Sequence, residues 1–330
     1  MRAVVYDAFR SPPRVEEVPE PELAPHAALV RVRATGLCRS DWHGWMGHDP
    51  DIAAFPHVPG HELAGVVEAV GAEVRGWRGG ERVTSPFVCA CGTCPTCRRG
   101  DGQVCERQTQ PGFTHWGSWA ELVRVDHADV NLVALPEVLG FVEAAALGCR
   151  VATAYRAVAQ VGRAAPGEWV AVHGCGGVGL AAVLVARAAG ARVVAVDPDP
   201  AARGLAAGCG AEVVLGDGAG VRDATGGGAH LSLDAIGAAS AVAASLAGLR
   251  RRGRHVQVGL LPEPVPVALG AAIAGELELL GAHGLAAHAY PALLALRLPV
   301  GRLVTRRLDL HGAAAALADP PRGGIAVIEP

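Results

Sequence analysis

The sequence predicts an α/β protein of two domains, a mainly β domain of barrel type followed by a domain built on a parallel sheet. At 330 residues the chain is long enough for two hydrophobic cores. Roughly the first 140 residues consist of short strand-like runs cut by Gly and Pro, which is the spacing of a β barrel. From about residue 150 onward, short β-branched runs alternate with helical stretches, and this alternation indicates βαβ units around a buried sheet.

Each part of this prediction depends on particular runs. The expected strands of the first domain are AALVRVRATG, LAGVVEAVG, ERVTSPFV and WAELVRVD. Those of the second are EWVAVHG, ARVVAVD, AEVVLG, LSLDAIG and RHVQVGL, with helices expected at GLAAVLVARAAG and PAARGLAAGCG. The arginine cluster at residues 250–254 is interpreted as the polar end of a helix that runs into a strand. After about residue 290 the pattern predicts one helix and a final strand.

The composition excludes several classes of protein. Hydrophobic residues make up 51% of the chain and charged residues 18%, so a disordered protein is excluded. A net charge of −3 gives no electrostatic reason to expect nucleic acid or an anionic membrane as a partner. No secretory leader or membrane-length apolar run is visible, which makes the cytoplasm the expected compartment. All 29 basic residues are arginine, so Schiff-base chemistry on a lysine is excluded.

Five of the nine cysteines lie in a Gly-rich loop at residues 89–105, and the last four of them have the spacing C-x2-C-x2-C-x7-C. These four are Cys91, Cys94, Cys97 and Cys105. Disulfides are disfavoured because partners three residues apart would close very short loops, and a redox pair is usually a single C-x-x-C at the start of a helix. Four thiolates at short spacing suit tetrahedral Zn²⁺, so we predict a structural zinc. Cys89 is expected to be a small buried thiol without a role.

A second group of residues has the composition of an open metal site. Cys38 lies in GLCRSDWHGW, His61 and Glu62 lie in VPGHELAG, and Cys149 lies in LGCRVATAY. Two cysteines and a histidine leave the fourth zinc position to water or substrate, which is the pattern of a catalytic zinc. Taken singly each residue is a weak signal, because a lone Cys is usually a small buried hydrophobe. The prediction gains weight from the nucleotide-binding pattern that follows.

That pattern is G-x-G-x-x-G in WVAVHGCGGVGLAAV, between an apolar run and a helix. Its glycines are Gly174, Gly176 and Gly179, and Gly177 lies in the same turn. Such glycines permit a tight turn and a close approach of the backbone to a pyrophosphate, which predicts a doubly wound Rossmann domain. Asp197 ends the next apolar run, where a carboxylate accepts hydrogen bonds from both ribose hydroxyls and favours NAD over NADP. The alternative for Asp197 is a simple helix N-cap.

With these motifs the sequence resembles the zinc-dependent alcohol dehydrogenases of the medium-chain dehydrogenase family. The resemblance covers nearly the whole chain, because GLCRSDWH, PGHELAGVVEAVG, the four-cysteine loop, GCRVATAY and GCGGVGL occur in the family's order and spacing. It implies a GroES-like catalytic domain at residues 1–148 and a Rossmann NAD-binding domain at 149–288. It also implies that residues 289–330 return to the catalytic domain.

The resemblance implies a role for each polar residue around the predicted catalytic zinc. Cys38, His61 and Cys149 would hold the metal. Glu62 would be a nearby carboxylate that can ligate it transiently. Asp41 would accept a hydrogen bond from His61, which fixes the tautomer of the imidazole and raises its basicity.

The resemblance also implies a proton path and a substrate wall. Ser40 would take the alcohol proton, and His43 would pass it to solvent through the cofactor ribose. Phe87 would be an aromatic wall of the substrate pocket. Four tryptophans either line an apolar pocket or pack within the β domain, and both interpretations stay open. They are Trp42, Trp45, Trp116 and Trp119.

The cofactor contacts are implied in the same way. Arg39 would contact the pyrophosphate. Thr153 and Val178 would flank the nicotinamide, and Val258 would approach it through its backbone. Family members that use NAD often have a lysine five residues after the acidic residue, and this chain has Ala202 there, followed by Arg203.

The predicted activity is the reversible, zinc-dependent oxidation of a small-molecule alcohol to an aldehyde or ketone with NAD. The chain lacks the long loop that follows the four cysteines in the dimeric animal enzymes. It is in this respect similar to bacterial and yeast-type members, so a homotetramer or homodimer is expected. Two alternatives stay open: a zinc dehydrogenase of a specialised carbonyl or alcohol, and a non-catalytic NAD-binding redox sensor.

Overall fold

The computed structural model describes residues 1–330, which form two compact units. The first unit comprises Met1–Ala152, Gly284–Leu293 and Val304–Pro330, and the second comprises Thr153–His283 and Leu294–Leu303. The predicted C-terminal segment 289–330 thus contributes to both units. None of the helices combines the length and the apolar character that crossing a bilayer requires.

The first part of the chain forms mostly strands with short helices, whereas strands and longer helices alternate from β8 onward. The strands are β1 (Arg2–Val5), β2 (Arg14–Glu17), β3 (Ala28–Leu37), β4 (Leu63–Val70), β5 (Arg82–Thr84), β6 (Leu122–Val125), β7 (Val133–Ala134), β8 (Trp169–His173), β9 (Arg192–Val196), β10 (Val213–Leu215), β11 (Ala229–Asp234), β12 (Leu249–Gln257), β13 (Glu278–Gly281), β14 (Val304–Leu308) and β15 (Ile325–Ile328). The helices are α1 (Arg39–Trp45), α2 (Pro95–Arg98), α3 (Ala128–Asn131), α4 (Phe141–Ala145), α5 (Ala152–Tyr155), α6 (Gly177–Ala188), α7 (Pro200–Gly208), α8 (Val221–Ala224), α9 (Ala239–Ala247), α10 (Leu269–Gly275), α11 (Tyr290–Ala295) and α12 (Leu310–Leu317).

The first unit is mainly β. Its seven-stranded sheet has the order β14-β15-β3-β4-β5-β7, with β6 paired to β3, and β1 pairs with β2 separately. The long strand β3 lies at the centre and pairs antiparallel with β4, β6 and β15. Its inward side chains, Val30 and Val32 among them, join Leu63 and Val67 of β4 in a buried apolar core. Burial of these branched side chains is what holds the sheet together.

The second unit is a six-stranded, entirely parallel sheet in the order β10-β9-β8-β11-β12-β13. This is the Rossmann order, in which the strand sequence reverses between β8 and β11. Every residue of β8 is buried, because helices cover a sheet of this type. The helix α7 begins at an Asp199 N-cap followed by Pro200, a favourable start for a helix. The predicted α/β fold class is therefore confirmed.

The interpretation of the arginine cluster at residues 250–254 is wrong. The helix α9 ends at Ala247, and the arginines lie within β12. The strand is irregular there, because the register against β11 shifts and Arg252 has a positive φ of 60°. Arg254 pairs with Glu168 at 2.5 Å, and β12 lies between β11 and β13, so the cluster belongs to an inner strand of the sheet rather than to a helix terminus.

Candidate active site

A buried carboxylate organises the start of α1. Asp41 accepts hydrogen bonds from the backbone N–H of Cys38 at 2.8 Å and from that of Gly60 at 3.1 Å. The same carboxylate lies 3.0 Å from Nδ1 of His61, and both side chains are buried. Burial on its own would lower the pKa of His61, but the charge and the hydrogen bond of Asp41, together with those of Cys38, outweigh burial and hold that pKa well above its usual value. One aspartate thus fixes the positions of Cys38 and His61 together.

The other predicted cysteine ligand lies on a π-helical turn, Leu147–Val151. π-Helical turns are rare, and they are frequently found at functional sites. Within this turn, the carbonyls of Leu147 and Gly148 both accept from the buried Tyr290 hydroxyl at 3.3 Å. Tyr290 belongs to the segment of the first unit that follows the Rossmann strands in sequence. Its contact fixes the turn that carries Cys149.

The side chains of Cys38, His61, Glu62 and Cys149 converge, since their ligand atoms all lie within 4.8 Å of one another. Nε2 of His61 is buried and has no hydrogen-bond partner. A buried imidazole nitrogen without a partner is costly unless it binds a ligand. Together with two thiols this donor set fits Zn²⁺ with one open position. The structure therefore brings together the four residues that the sequence predicted as one metal site.

Glu62 differs from the other three because it is also half of a buried ion pair. Its carboxylate accepts from Arg150 Nε at 3.0 Å, from Arg150 Nη2, and from the backbone N–H of Arg150 at 3.1 Å. Arg150 Nη1 donates to the carbonyl of Leu37 at 3.0 Å. Glu62 must therefore give up charge-assisted hydrogen bonds before it can ligate a metal. This agrees with a transient role better than with a permanent ligand.

The predicted proton path starts beside the metal ligands. The Ser40 hydroxyl lies 3.8 Å from Sγ of Cys38. His43 lies one turn further along α1, half-buried. Burial is the largest cause that lowers the pKa of His43, and the neighbouring His48 and Arg39 lower it further, which favours the neutral imidazole. The roles of Ser40 and His43 stay predictions.

The four-cysteine loop forms a second, separate cluster. Sγ of Cys94 lies 3.4 Å from that of Cys97 and 3.8 Å from that of Cys105, and Sγ atoms of Cys91 and Cys97 are 4.0 Å apart. A tetrahedron with Zn–S bonds of 2.3 Å has sulfurs about 3.8 Å apart, so the cluster fits zinc without a free position. The backbone N–H of Cys97 lowers the pKa of the Cys94 thiol, which favours the thiolate that zinc requires.

The remaining cysteine of that loop is not part of the cluster. Cys89 is fully buried in the core of the first unit, beside Val83 and Leu132. Its backbone exchanges hydrogen bonds with Thr109 at 2.8 and 3.0 Å. Burial raises the pKa of its thiol, which keeps it protonated. Cys89 is therefore a core residue.

In the second unit, the glycine motif joins β8 to α6. Gly174 has a φ of 91°, which favours glycine, and a Cβ on Gly179 would lie 1.7 Å from the Gly174 carbonyl oxygen. A Cβ on Gly176 would meet no atom within 4 Å, so the backbone there faces open space. α6 begins at Gly177 with an uncapped N-terminus. A tight turn, close packing and an open helix start are the features that fit a pyrophosphate.

Asp197 lies immediately after β9 and points back at the same turn. Its carboxylate accepts from the backbone N–H of Cys175 at 2.8 Å and from that of Asp199 at 2.9 Å. The N-cap of α7 is Asp199, which accepts from Ala201. Asp197 is thus not the helix cap that its position also allowed. The guanidinium of Arg203 donates to the Asp197 carbonyl at 2.8 Å, which places a cation at this loop.

The other predicted cofactor contacts lie where their elements begin or end. Thr153 is buried at the start of the second unit, and Val178 is half-buried in the first turn of α6. Val258 follows β12 and its N–H donates to the carbonyl of Asp234 at 3.0 Å. In the first unit, the exposed guanidinium of Arg39 lies 4.5 Å from the ring centroid of Trp42. Their contacts with a cofactor stay predictions.

Aromatic rings surround His61, and one of them was missed by the sequence reasoning. The Phe87 ring lies 6.2 Å from that of His61, and the Phe113 ring lies 5.4 Å away, both edge-on. Nothing in the sequence near Phe113 signals this role. Trp45 and Trp119 are core residues of the first unit, which favours packing over a pocket for these two.

The chain has close relatives along its whole length. Residues 24–137 match the family described as Alcohol dehydrogenase GroES-like domain, and residues 177–298 match the one described as Zinc-binding dehydrogenase. An alcohol dehydrogenase of Geobacillus stearothermophilus is 37% identical over 286 residues, which cover 85% of this chain and 84% of that protein.

Solved structures give the same result. An alcohol dehydrogenase from Thermus sp. ATN1 has a TM-score of 0.89 and 36% identity, and the match covers 100% of this chain and 99% of that one. A structure described as NAD-dependent alcohol dehydrogenase has a TM-score of 0.87 at 29% identity and matches over 100% of both chains.

These similarities span both units and therefore include both predicted sites. The match at 37% identity over most of the chain is far beyond what a shared fold alone produces. The chain belongs to the zinc-dependent alcohol dehydrogenases of the medium-chain dehydrogenase family.

Proposed function

We propose that the chain oxidises a small-molecule alcohol to an aldehyde or ketone with zinc and NAD, and that the residues described above carry the reaction. The observation that carries this proposal is the convergence of Cys38, His61 and Cys149 around a buried imidazole nitrogen without a partner. A redox sensor would have no need of such an open donor set. One structural relative is itself described as NAD-dependent.

Zinc bound at the open site supplies a Lewis acid that lowers the pKa of an alcohol, and bound NAD supplies the hydride acceptor. The chain's residues do the rest. Asp41 holds His61 and the N–H of Cys38 in place. The hydroxyl of Ser40, beside Cys38, accepts the alcohol proton while releasing its own proton toward the neutral His43, which carries it toward solvent.

The function is tested by NADH formation, followed by near-UV absorbance, with zinc-replete protein and a panel of primary, secondary and aromatic alcohols. A clear rate with one or more of them is expected, and the ranking then defines the substrate class. Protein that binds NAD but gives a flat trace across the panel would contradict the proposal and favour the specialised dehydrogenase or the redox sensor.

We predict that Asp197→Ala narrows the preference for NAD over NADP by about 10- to 100-fold in kcat/KM. The carboxylate is lost as acceptor for two ribose hydroxyls, each charge-assisted hydrogen bond being worth about 1.5–3 kcal/mol. Its repulsion of a 2′-phosphate is lost as well, while Arg203 remains beside the loop. The ratio is measured with both cofactors at saturating alcohol.

The matched control is Asp199→Ala. It removes an acid two residues away that caps α7, so it should cost about 1 kcal/mol of stability and leave the cofactor ratio unchanged. If the NAD/NADP ratio of kcat/KM stayed unchanged in Asp197→Ala, Asp197 would have no role in cofactor selection and would only hydrogen-bond the loop backbone.

We further propose that the chain forms a homo-oligomer through the edge of the Rossmann sheet. β13 is an edge strand, and exposed apolar side chains lie on it and on the preceding segment. They are Leu260, Leu269, Ile273 and Leu279. A patch of this kind on a soluble enzyme marks an interface. The net charge supports neither nucleic acid nor a membrane as partner. None of the nine cysteines is in a disulfide, which suits a reducing compartment such as the cytoplasm.

We expect Ile273→Glu to shift the protein toward smaller species in sedimentation velocity, because a charge would be buried in the interface. Ile273 is 79% exposed in the single chain. Val138→Glu is the matched control, since Val138 is 97% exposed but lies in the first unit. A monomeric wild type, or equal sedimentation of all three proteins, would remove this interface.

A further inference from the structure

A second histidine contacts His43, and neither the motif nor the resemblance assigns it a role. Nδ1 of His48 lies 3.0 Å from Nδ1 of His43. The backbone N–H of His48 donates to the carbonyl of His43 at 3.0 Å, just beyond the end of α1. Trp42 contacts both imidazoles edge-on, with ring centroids 4.9 Å and 5.7 Å away. The pair is therefore held by a backbone hydrogen bond and by one shared aromatic ring.

The short distance between the two nitrogens constrains the protons of the pair. A neutral imidazole carries one N–H, and two Nδ1 atoms 3.0 Å apart require that one donates and the other accepts. If His43 donates from Nδ1, its Nε2 is left as a free acceptor. His48 then accepts at Nδ1 and carries its own proton on Nε2. In this arrangement His43 is ready to receive a proton and His48 is ready to release one.

We propose that His48 extends the proton path from His43 to solvent. His43 accepts a proton at Nε2 and passes its Nδ1 proton to Nδ1 of His48, which releases the proton on its Nε2 to water. On each ring one N–H bond forms and one N–H bond breaks, so neither ring is oxidised or reduced. His48 is exposed whereas His43 is half-buried, so His48 is the outer member. This step depends on the proposed function, because it presupposes that His43 relays the alcohol proton.

The charges around the pair agree with that direction of transfer. Burial, His48 and Arg39 lower the pKa of His43, whereas Cys38 and Asp49 raise it, with a net lowering. A proton that reaches His43 is therefore not retained there. The exposed His48 exchanges it directly with water or buffer.

The test uses His48→Gln, which keeps an amide beside His43 but cannot carry a proton. We expect kcat/KM for the alcohol to fall about 3- to 10-fold in dilute non-imidazole buffer, and to recover when imidazole is added, because a mobile base replaces the missing ring. NAD affinity should stay unchanged. The matched control is His26→Gln, because His26 stacks on His127 elsewhere in the first unit, with ring centroids 4.4 Å apart, and it should show neither effect.

A second readout needs no turnover. In zinc-loaded protein without NAD, the rate at which diethyl pyrocarbonate modifies His43 is followed against pH by mass spectrometry. We expect a broad, two-step profile in the wild type, because the two rings share protons, and a single step in His48→Gln.

The outcomes separate this inference from the proposed function. Wild type without turnover, or His43→Gln without loss of turnover, contradicts the proposed relay itself. Turnover that falls in His43→Gln but not in His48→Gln overturns only the extension. The extension is also overturned if turnover falls in His48→Gln, imidazole does not restore it and the pH profile of His43 modification is unchanged. His48 then has only a packing role.

Discussion

Cys38→Ser is expected to lower kcat/KM by at least about a thousandfold while NAD binding stays within twofold of the wild type. Serine is a poor ligand for zinc beside a thiolate and an imidazole, so the metal is lost or misplaced. The cofactor motif lies in the second unit, at Gly174 and Asp197, and does not include Cys38. Catalysis and cofactor binding should therefore separate in this variant.

Three measurements decide the result: turnover, zinc content by mass spectrometry, and NADH binding by fluorescence. Zinc is expected to fall from about two ions to about one per chain. Cys209→Ser is the matched control, because Cys209 is a buried thiol of the second unit outside both clusters. It should keep both metals and full activity. Undiminished turnover in Cys38→Ser would remove Cys38 from the catalytic site.

Cys97→Ser is expected to destabilise the protein by about 5 kcal/mol or more, with one zinc lost and with little change in kcat/KM of the folded fraction. Zinc binding in small structural sites is worth roughly 10–16 kcal/mol, comparable with the stability of a whole domain. The loop at residues 89–105 depends on zinc, because its small apolar cluster consists of Ala90 and three buried cysteines, with the half-buried Cys97 packed against them. We therefore expect the cluster to stabilise the loop without taking part in the chemistry.

The effect is measured as the midpoint of thermal inactivation together with zinc content. Cys89→Ala is the matched control within the same loop, since Cys89 is buried in the apolar core instead of the sulfur cluster. It should keep both zinc ions and cost only about 1 kcal/mol, the effect of a small cavity. Equal losses of stability in Cys97→Ser and Cys89→Ala would contradict a structural zinc site at Cys97.

Short-range patterns determined much of this protein. The spacing of Cys91, Cys94 and Cys97 forces neighbouring sulfurs together within one loop, and the glycines around Gly174 specify a turn that other residues cannot make. β-Branched runs separated by helical ones specify a parallel sheet, because both faces of each strand must be buried. In these cases the interacting residues are near neighbours along the chain, so the sequence alone carries the information.

The tertiary structure decided what depends on contacts between distant residues. Glu62 and Arg150 are 88 positions apart, and no local signal predicts that they form a buried ion pair. Tyr290 supports the turn of Cys149 from a separate segment. Conversely, residues 250–254 were wrongly assigned to a helix end, because pairing with β11 overrode local polarity.

The two histidines of the proposed proton path show most clearly what the sequence determines and what the tertiary structure determines. The resemblance singled out His43 by its place in GLCRSDWH, whereas His48 lies outside that motif. The end of α1 and the ring of Trp42 bring the two Nδ1 atoms to 3.0 Å. Sequence determined which chemical groups the chain possesses and how its local elements form. Folding determined which of those groups meet, because proton transfer and metal binding depend on distances that only packing sets.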